Sequence, residues 1–166
     1  MTSDLFSLRL EPMSAAEFAD YLQRQRLRFA TAKAEVESLP LETVLPAANE
    51  QLARTLPQGR QTAGHTFVNL LSVPQHGAPV TVGEAWYWQH ETPLGREGYL
   101  YDIFIHPEHR RAGHGRAALA AIEAALAQAG CRQLWLNVFA SNTPARRFYE
   151  ACGYSLGTLH LSKLLG

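Results

Sequence analysis

The segment Ile105-His106-Pro107-Glu108-His109-Arg110-Arg111-Ala112-Gly113-His114-Gly115-Arg116 gathers the residue types that hold phosphate. A strand-like stretch ends, a basic loop follows, and glycines open an alanine-rich helix. The first turn of a helix leaves N–H groups without acceptors, and aligned peptide dipoles put partial positive charge there. A phosphate or pyrophosphate suits that position. Gly113 and Gly115 let the backbone approach a ligand closely or take positive φ. Arg110, Arg111 and Arg116 add charge, and three arginines with two glycines in seven residues exceed what a plain turn requires.

Three phosphate-holding patterns compete for this loop. A Walker loop needs Gly-Lys-Ser/Thr, and Gly115-Arg116-Ala117 rules it out. Gly113-x-Gly115-x-x-Ala118 formally fits a dinucleotide fingerprint. Seven residues separate it from the strand end at Ile105, however, and the next strand offers Asn137 instead of an acidic ribose ligand. The third pattern, Arg/Gln-x-x-Gly-x-Gly/Ala, is matched without a gap by Arg110 to Gly115.

The surrounding elements must position this loop. Phe6, Leu8 and Leu10 alternate with polar residues as a first strand, and Pro12 ends it. Ser14-x-x-Glu17 predicts a capping box, followed by the helical stripe Phe18, Tyr21, Leu22 and Phe29. Arg24, Arg26 and Arg28 read as a solvated helix face. Residues 38–64 are broken by Pro40, Pro46, Pro57, Gly59 and Gly64, leaving Ala47–Leu56 as one short helix. Thr66–Val73 and Val80–His90 are strands joined by the turn Pro74–Pro79. Tyr99–His106 reads as a central strand stopped by Pro107. After Gly115 comes a long helix striped by Leu119, Ile122 and Leu126 and closed by Gly130. Gln133–Phe139 is a further buried strand. Pro144 begins a helix that ends at Gly153, and Tyr154–Leu165 is expected to return as one bent strand or a tight pair. The order β-α-α-β-β-β-α-β-α-β makes this an α/β or α+β domain with mixed strand directions.

Composition narrows the function classes. The 166 residues suit a single domain over 1–166, and basic and acidic residues balance at 15 each. Without a basic excess, phosphate-held nucleic-acid binding is disfavoured. Cys131 and Cys152 lack metal or redox spacing and read as reduced thiols. His106, His109 and His114 form a histidine cluster, but it lies in the phosphate loop, so no metal is expected. Met1-Thr2-Ser3-Asp4-Leu5-Phe6 shows no secretory pattern, and Ala117–Ala129 is too short for a bilayer. A cytoplasmic protein without membrane or nucleic-acid partners is expected.

Ile103-x-Ile105-His106-Pro107-x-x-Arg110-Arg111-x-Gly113-x-Gly115-Arg116 resembles motif A of the GNAT superfamily of acyl-CoA-dependent N-acetyltransferases. Leu136-Asn137-Val138 through Asn142, Ala145, Phe148-Tyr149-Glu150 and Gly153-Tyr154 resembles motif B at the expected distance. Leu56-Pro57-Gln58-Gly59 with Thr62-x-Gly64-His65 also looks like a subgroup of uncharacterised bacterial acetyltransferases. The resemblance implies a mixed, mostly antiparallel sheet with flanking helices and splayed fourth and fifth strands. It implies acetyl-CoA as co-substrate, its pyrophosphate held by the backbone of Arg110, Arg111, Ala112, Gly113, His114, Gly115 and Arg116. The main chain of Ile103, Phe104 and Ile105 would pair with the pantetheine arm, and Asn142 would orient the cofactor. Tyr149 would be the general acid toward the CoA thiolate. A small-molecule or peptide amine would be the acceptor, and a homodimer stays open because dimers are common among such proteins.

The chemistry asks for these residue types on its own terms. Thioester aminolysis needs a neutral amine, a polarised carbonyl and a protonated leaving thiol. A strand N–H can polarise the carbonyl and a phenol can donate the proton. Tyr149 can equally be a core aromatic, and Asn142 only a helix cap. Asn137 cannot take up a proton. Asp102, an ionisable group in an apolar strand, is the first candidate for the base, directly or through a water, and Glu84 the second. It can equally be a structural hydrogen-bonding group. Trp86, Tyr87, Trp88 and Tyr101 either line an acceptor pocket or belong to the core. A non-catalytic acyl-CoA sensor of the same fold is the alternative function. A nucleic-acid module using residues 24–28 and 110–116 is the third.

Overall fold

In the computed structural model, residues 6–163 and 165 are described; the first five residues, on which the leader expectation rests, lie outside them, as do Leu164 and Gly166. Phe6–Pro12 (β1) alternates in burial as its sequence alternates in polarity. Ser14 then caps Ala15–Glu37 (α1): its hydroxyl accepts from the Glu17 N–H, and the Glu17 carboxylate accepts from the Ser14 N–H. Leu41–Thr55 (α2) packs small side chains against α1, with Ala30, Ala34, Val44 and Ala48 forming a buried cluster.

The sheet contains His65–Pro74 (β2), Val80–Thr92 (β3), Gly95–Ile105 (β4) and Leu134–Leu136 (β5), in the order β1-β2-β3-β4-β5. The first four strands pair antiparallel and β5 joins β4 in parallel, which is the mixed, mostly antiparallel arrangement expected. β4 is therefore next to the edge, and not central. His114–Gln128 (α3) packs Ala118, Leu119, Ile122 and Leu126 against Val68, Leu70, Val82, Ala85 and Leu100 on one sheet face. The other face takes Tyr21 from α1 with Met13, Leu56, Phe67 and Trp86. Thr143–Ala151 (α4) adds Phe148 and Tyr149 to the α3 side.

Two irregularities of β4 prepare the site. Trp86 opposes Asp102 while Tyr87 opposes Leu100, so Tyr101 is an extra residue, a β-bulge. And β5 pairs only through Gly98↔Leu134, Tyr99↔Trp135 and Leu100↔Leu136, after which β4 continues to Ile105 without it. The fork between the two strands opens beside Tyr101.

Several expectations need correction. The second helix starts at Leu41 and includes Pro46. A proline removes one i→i−4 bond, and packing of the α1–α2 alanine and valine faces outweighs that loss. Strand β5 covers three residues and not Gln133–Phe139. The residues described after Gly153 form no strand: Leu156, Leu159 and Leu161 are 75%, 71% and 92% exposed, so no apolar face holds that alternation in place. Arg24 and Arg28 are not simply solvated, since both reach carboxylates of the sheet.

Candidate active site

Pro107–His109 forms one 3-10 turn after β4, and the chain then needs two left-handed residues, Arg111 (φ 66°) and Gly113 (φ 87°), to enter α3. Gly113 is the N-cap and offers no side chain to the first-turn amides, which no side chain among the described residues caps. A Cβ built on Gly113 would meet no atom within 4 Å, so the space above the helix start is open. At Gly115 the added carbon would meet the Phe148 ring of α4 at 3.6 Å, an ordinary contact.

The loop is held by its own side chains. The His114 ring donates from Nδ1 to the His109 carbonyl at 2.8 Å, and in the neutral ring the Ser72 hydroxyl donates to Nε2 at 3.2 Å. Arg110 Nε donates to the Ile105 carbonyl at 2.9 Å, and its guanidinium stands 5.2 Å from the Phe104 ring centre. Arg116 donates to the Ala151 carbonyl at 3.2 Å, tying α3 to the end of α4. Arg111 makes no ion pair among the described residues and is exposed, as is Ala112. Among the described residues none of the loop arginines is neutralised by a carboxylate. The cationic field at the α3 start is intact.

Across the fork lies a charge network that the sequence reading only half anticipated. Arg28 donates to Glu84 at 3.2 Å and to Asp102 at 2.8 Å; Arg24 donates to Glu84 at 2.7 Å. The Tyr21 hydroxyl donates to the same Asp102 oxygen at 3.0 Å. Glu84 is 3% exposed and the Asp102 side chain 19%. Two carboxylates and two guanidiniums balance, which is what such burial demands. Burial pushes the Asp102 carboxyl up, opposed by the Arg28 charge and the Tyr21 and Arg28 hydrogen bonds. Burial and the adjacent carboxylate push the Tyr21 phenol well up. Arg28 also lies over the Phe104 ring at 4.0 Å. An open groove of about 610 Å³ follows, lined by Leu27, Thr31 and Glu35 with these residues.

Tyr149 lies on α4 and packs on the α3 side of the sheet. Its ring packs against Phe148 and Tyr154, and its hydroxyl has no hydrogen-bond partner among the described residues. Burial, then the charge of Asp102, hold its phenol at about 12. Tyr149 is thus a protonated donor throughout the neutral range, near enough to Asp102 to feel its charge. Asn142 caps α4: its Oδ1 accepts from the Ala145 N–H at 3.2 Å. Ile103 and Ile105 pack with the α3-side core, while Phe104 faces α1.

The sequence reading put Tyr21 on a buried stripe and Arg28 on a solvated face, and gave neither of them nor His65 a role at the site. The first two follow Phe18 at helical spacing through Gln25, a signal that would have placed Arg28 on the inner face of α1. Trp86 Nε1 donates to His65 Nδ1 at 2.9 Å, and burial lowers the His65 ring to about 4. A histidine that resists protonation when folded makes the unfolded chain bind more protons below pH 6.5, so stability falls as pH drops from about 6.5 toward 4. Urea midpoints taken across that window should decline, and a His65→Gln variant should show a shallower decline.

A bulged, forked strand thus leads through a basic loop into a helix start flanked by arginines. Residues 20–154 match the Acetyltransferase (GNAT) family, and the chain belongs to it. It is 29% identical over 161 residues to YycN of Bacillus subtilis (strain 168), an uncharacterized N-acetyltransferase, covering 96% of this chain and 99% of that protein. It is 32% identical over 130 residues to the thialysine N-epsilon-acetyltransferase of Bos taurus, covering 76% and 75%. The crystal structure of YycN superposes with a TM-score of 0.85 over 96% of this chain and 99% of that one. Among the described residues no helix is long and apolar enough to cross a membrane.

Proposed function

We propose that this chain transfers an acetyl group from acetyl-CoA to a primary amine by direct attack in a ternary complex. The observation that carries the reading is the α3 start: uncapped amides, open space at Gly113 and three arginines without carboxylate partners, all at the mouth of the fork. The residues fit the co-substrate. The backbone of Arg110, Arg111, Ala112, Gly113, His114, Gly115 and Arg116 takes the pyrophosphate. The open edge of β4 at Ile103, Phe104 and Ile105 takes the pantetheine amides as an added strand. Asn142 keeps its Nδ2 donors for the cofactor while Oδ1 caps α4. No covalent enzyme intermediate is required, so the two cysteines have no part.

At the fork, the amine attacks the thioester carbonyl, whose developing oxyanion a β4 amide beside the Tyr101 bulge stabilises. Tyr149 gives its proton to the departing thiolate. Asp102 receives the amine proton directly or through a water, while Arg28 and Tyr21 fix its carboxylate. Asp102→Asn keeps the shape and removes the base, so kcat should fall by about 10²-fold with acetyl-CoA affinity unchanged. Because burial raises the Asp102 carboxyl, the wild-type rate should decline on the acid side and the variant should lose that limb. A flat acid profile in the wild type would remove Asp102 from this role.

Thermal shift with acetyl-CoA and CoA release with a panel of amines test the reading. Stabilisation and turnover are expected; neither signal on any amine would overturn it.

A further inference from the structure

The sheet face beside the fork carries an aromatic shelf that the catalytic reading does not use. His65 stacks on Trp88 with ring centres 5.4 Å apart, and Trp88 stacks on His90 at 4.0 Å. Tyr101 stacks on Trp86 at 4.2 Å, touches His65 at 5.6 Å and meets Tyr99 edge-on at 4.7 Å. Trp86 is fully buried, but Tyr101 is 37% exposed and His65, Trp88, His90 and Tyr99 are half-buried. Ordinary alternation sets Tyr101 on the same face as Tyr99, and the extra residue at the bulge puts Asp102 on that face as well. Of the four aromatics singled out from sequence, Tyr87 goes to the α3-side core instead.

Position and charge say what the shelf can hold. Ile105 to Tyr101 spans four residues, about 13 Å of strand. A coenzyme with its diphosphate at Gly113 and its arm along β4 therefore brings its thioester toward the fork apex, beside Tyr101 and Tyr99. His65 carries no charge at neutral pH: the Trp86 N–H holds its unprotonated Nδ1, and burial keeps that ring neutral. Every carboxylate on β3 and β4 is already paired with arginine: Glu84 with Arg24 and Arg28, Asp102 with Arg28, Glu91 with Arg96, Glu97 with Arg132. Flat faces attract an aromatic ring or a single ammonium. No free anion remains on these strands to hold a second one.

We propose that His65, Trp88, Tyr99 and Tyr101 form the acceptor subsite, and that it takes a primary monoamine borne on an aromatic group, in preference to a polyamine. This rests on the acetyl-transfer reading for its chemistry, but the binding of the amine is a separate property. The protein loaded with CoA is titrated with 2-phenylethylamine and with spermidine by calorimetry, and both amines are assayed for acetylation. Binding of 2-phenylethylamine at least tenfold tighter than spermidine is expected. Tyr101→Ala should weaken it at least tenfold, Tyr101→Phe should restore it, and acetyl-CoA affinity should hold in both. Tyr101 is exposed, so its truncation leaves the core intact, which thermal unfolding checks. Tighter binding of spermidine, or no saturable binding of 2-phenylethylamine, overturns the subsite even if some amine is acetylated. Binding of 2-phenylethylamine without turnover keeps the subsite and removes the enzymatic reading.

Discussion

Gly113→Val is expected to abolish measurable acetyl-CoA binding in a chain that stays folded. The residue sits at φ 87°, and an added Cβ would meet no protein atom within 4 Å. The left-handed conformation costs a non-glycine residue about 1–2 kcal/mol, a loss the domain can absorb. The branched side chain would fill the space directly above the α3 amides, where the diphosphate must lie to reach them. Gly130 supplies the control, since it has φ 85°, is equally open, and lies at the far end of the same helix. Gly130→Val imposes like strain without blocking the loop, so it should bind acetyl-CoA as the wild type does. Calorimetric titration of the two variants, with circular dichroism for folding, separates occlusion from strain. Equal losses in both would mean that backbone strain alone disables the loop.

Tyr149→Phe is expected to lower kcat by about 10²–10⁴ while acetyl-CoA affinity moves less than about threefold. The ring keeps its packing against Phe148 and Tyr154, so only the hydroxyl is removed. That hydroxyl has no partner among the described residues, so its loss strands no buried polar group. With the phenol at about 12, the wild type retains its proton source up to strongly alkaline pH. A thiolate leaving without a donor must instead depart as an anion into a desolvated fork. Steady-state kinetics with direct acetyl-CoA binding provide the test. A variant with parallel losses in affinity and turnover would show that Tyr149 shapes the cofactor site and does not donate.

Much of this was legible in the residues. The strand, basic loop and helix around Arg110–Arg116 were readable because glycine, proline and arginine there answer to local geometry. The capping box at Ser14 and Glu17 was readable for the same reason. Legibility failed where distant partners decide. Pro46 reads as a stop, yet α1 packing carries α2 through it. Arg24 and Arg28 read as solvated because their carboxylates lie 60 and 74 positions away on the sheet. The tail after Gly153 has strand-like alternation, but β5 is too short an edge to give it a ladder. The placing of Tyr101 and Asp102 on one face depends on one extra residue in β4, which strict alternation read from the sequence does not mark.

The unequal joints of the sheet have a thermodynamic corollary. Ten residue pairs hold β4 to β3, and three hold it to β5. An extended molecule lying along the vacant half of β4 would complete a ladder that the polypeptide leaves unfinished. Occupancy and cohesion are then coupled: ligand at a hundred times its dissociation constant adds about 2.7 kcal/mol to the stability of the whole domain. A coenzyme bound there would act as a sixth, removable strand.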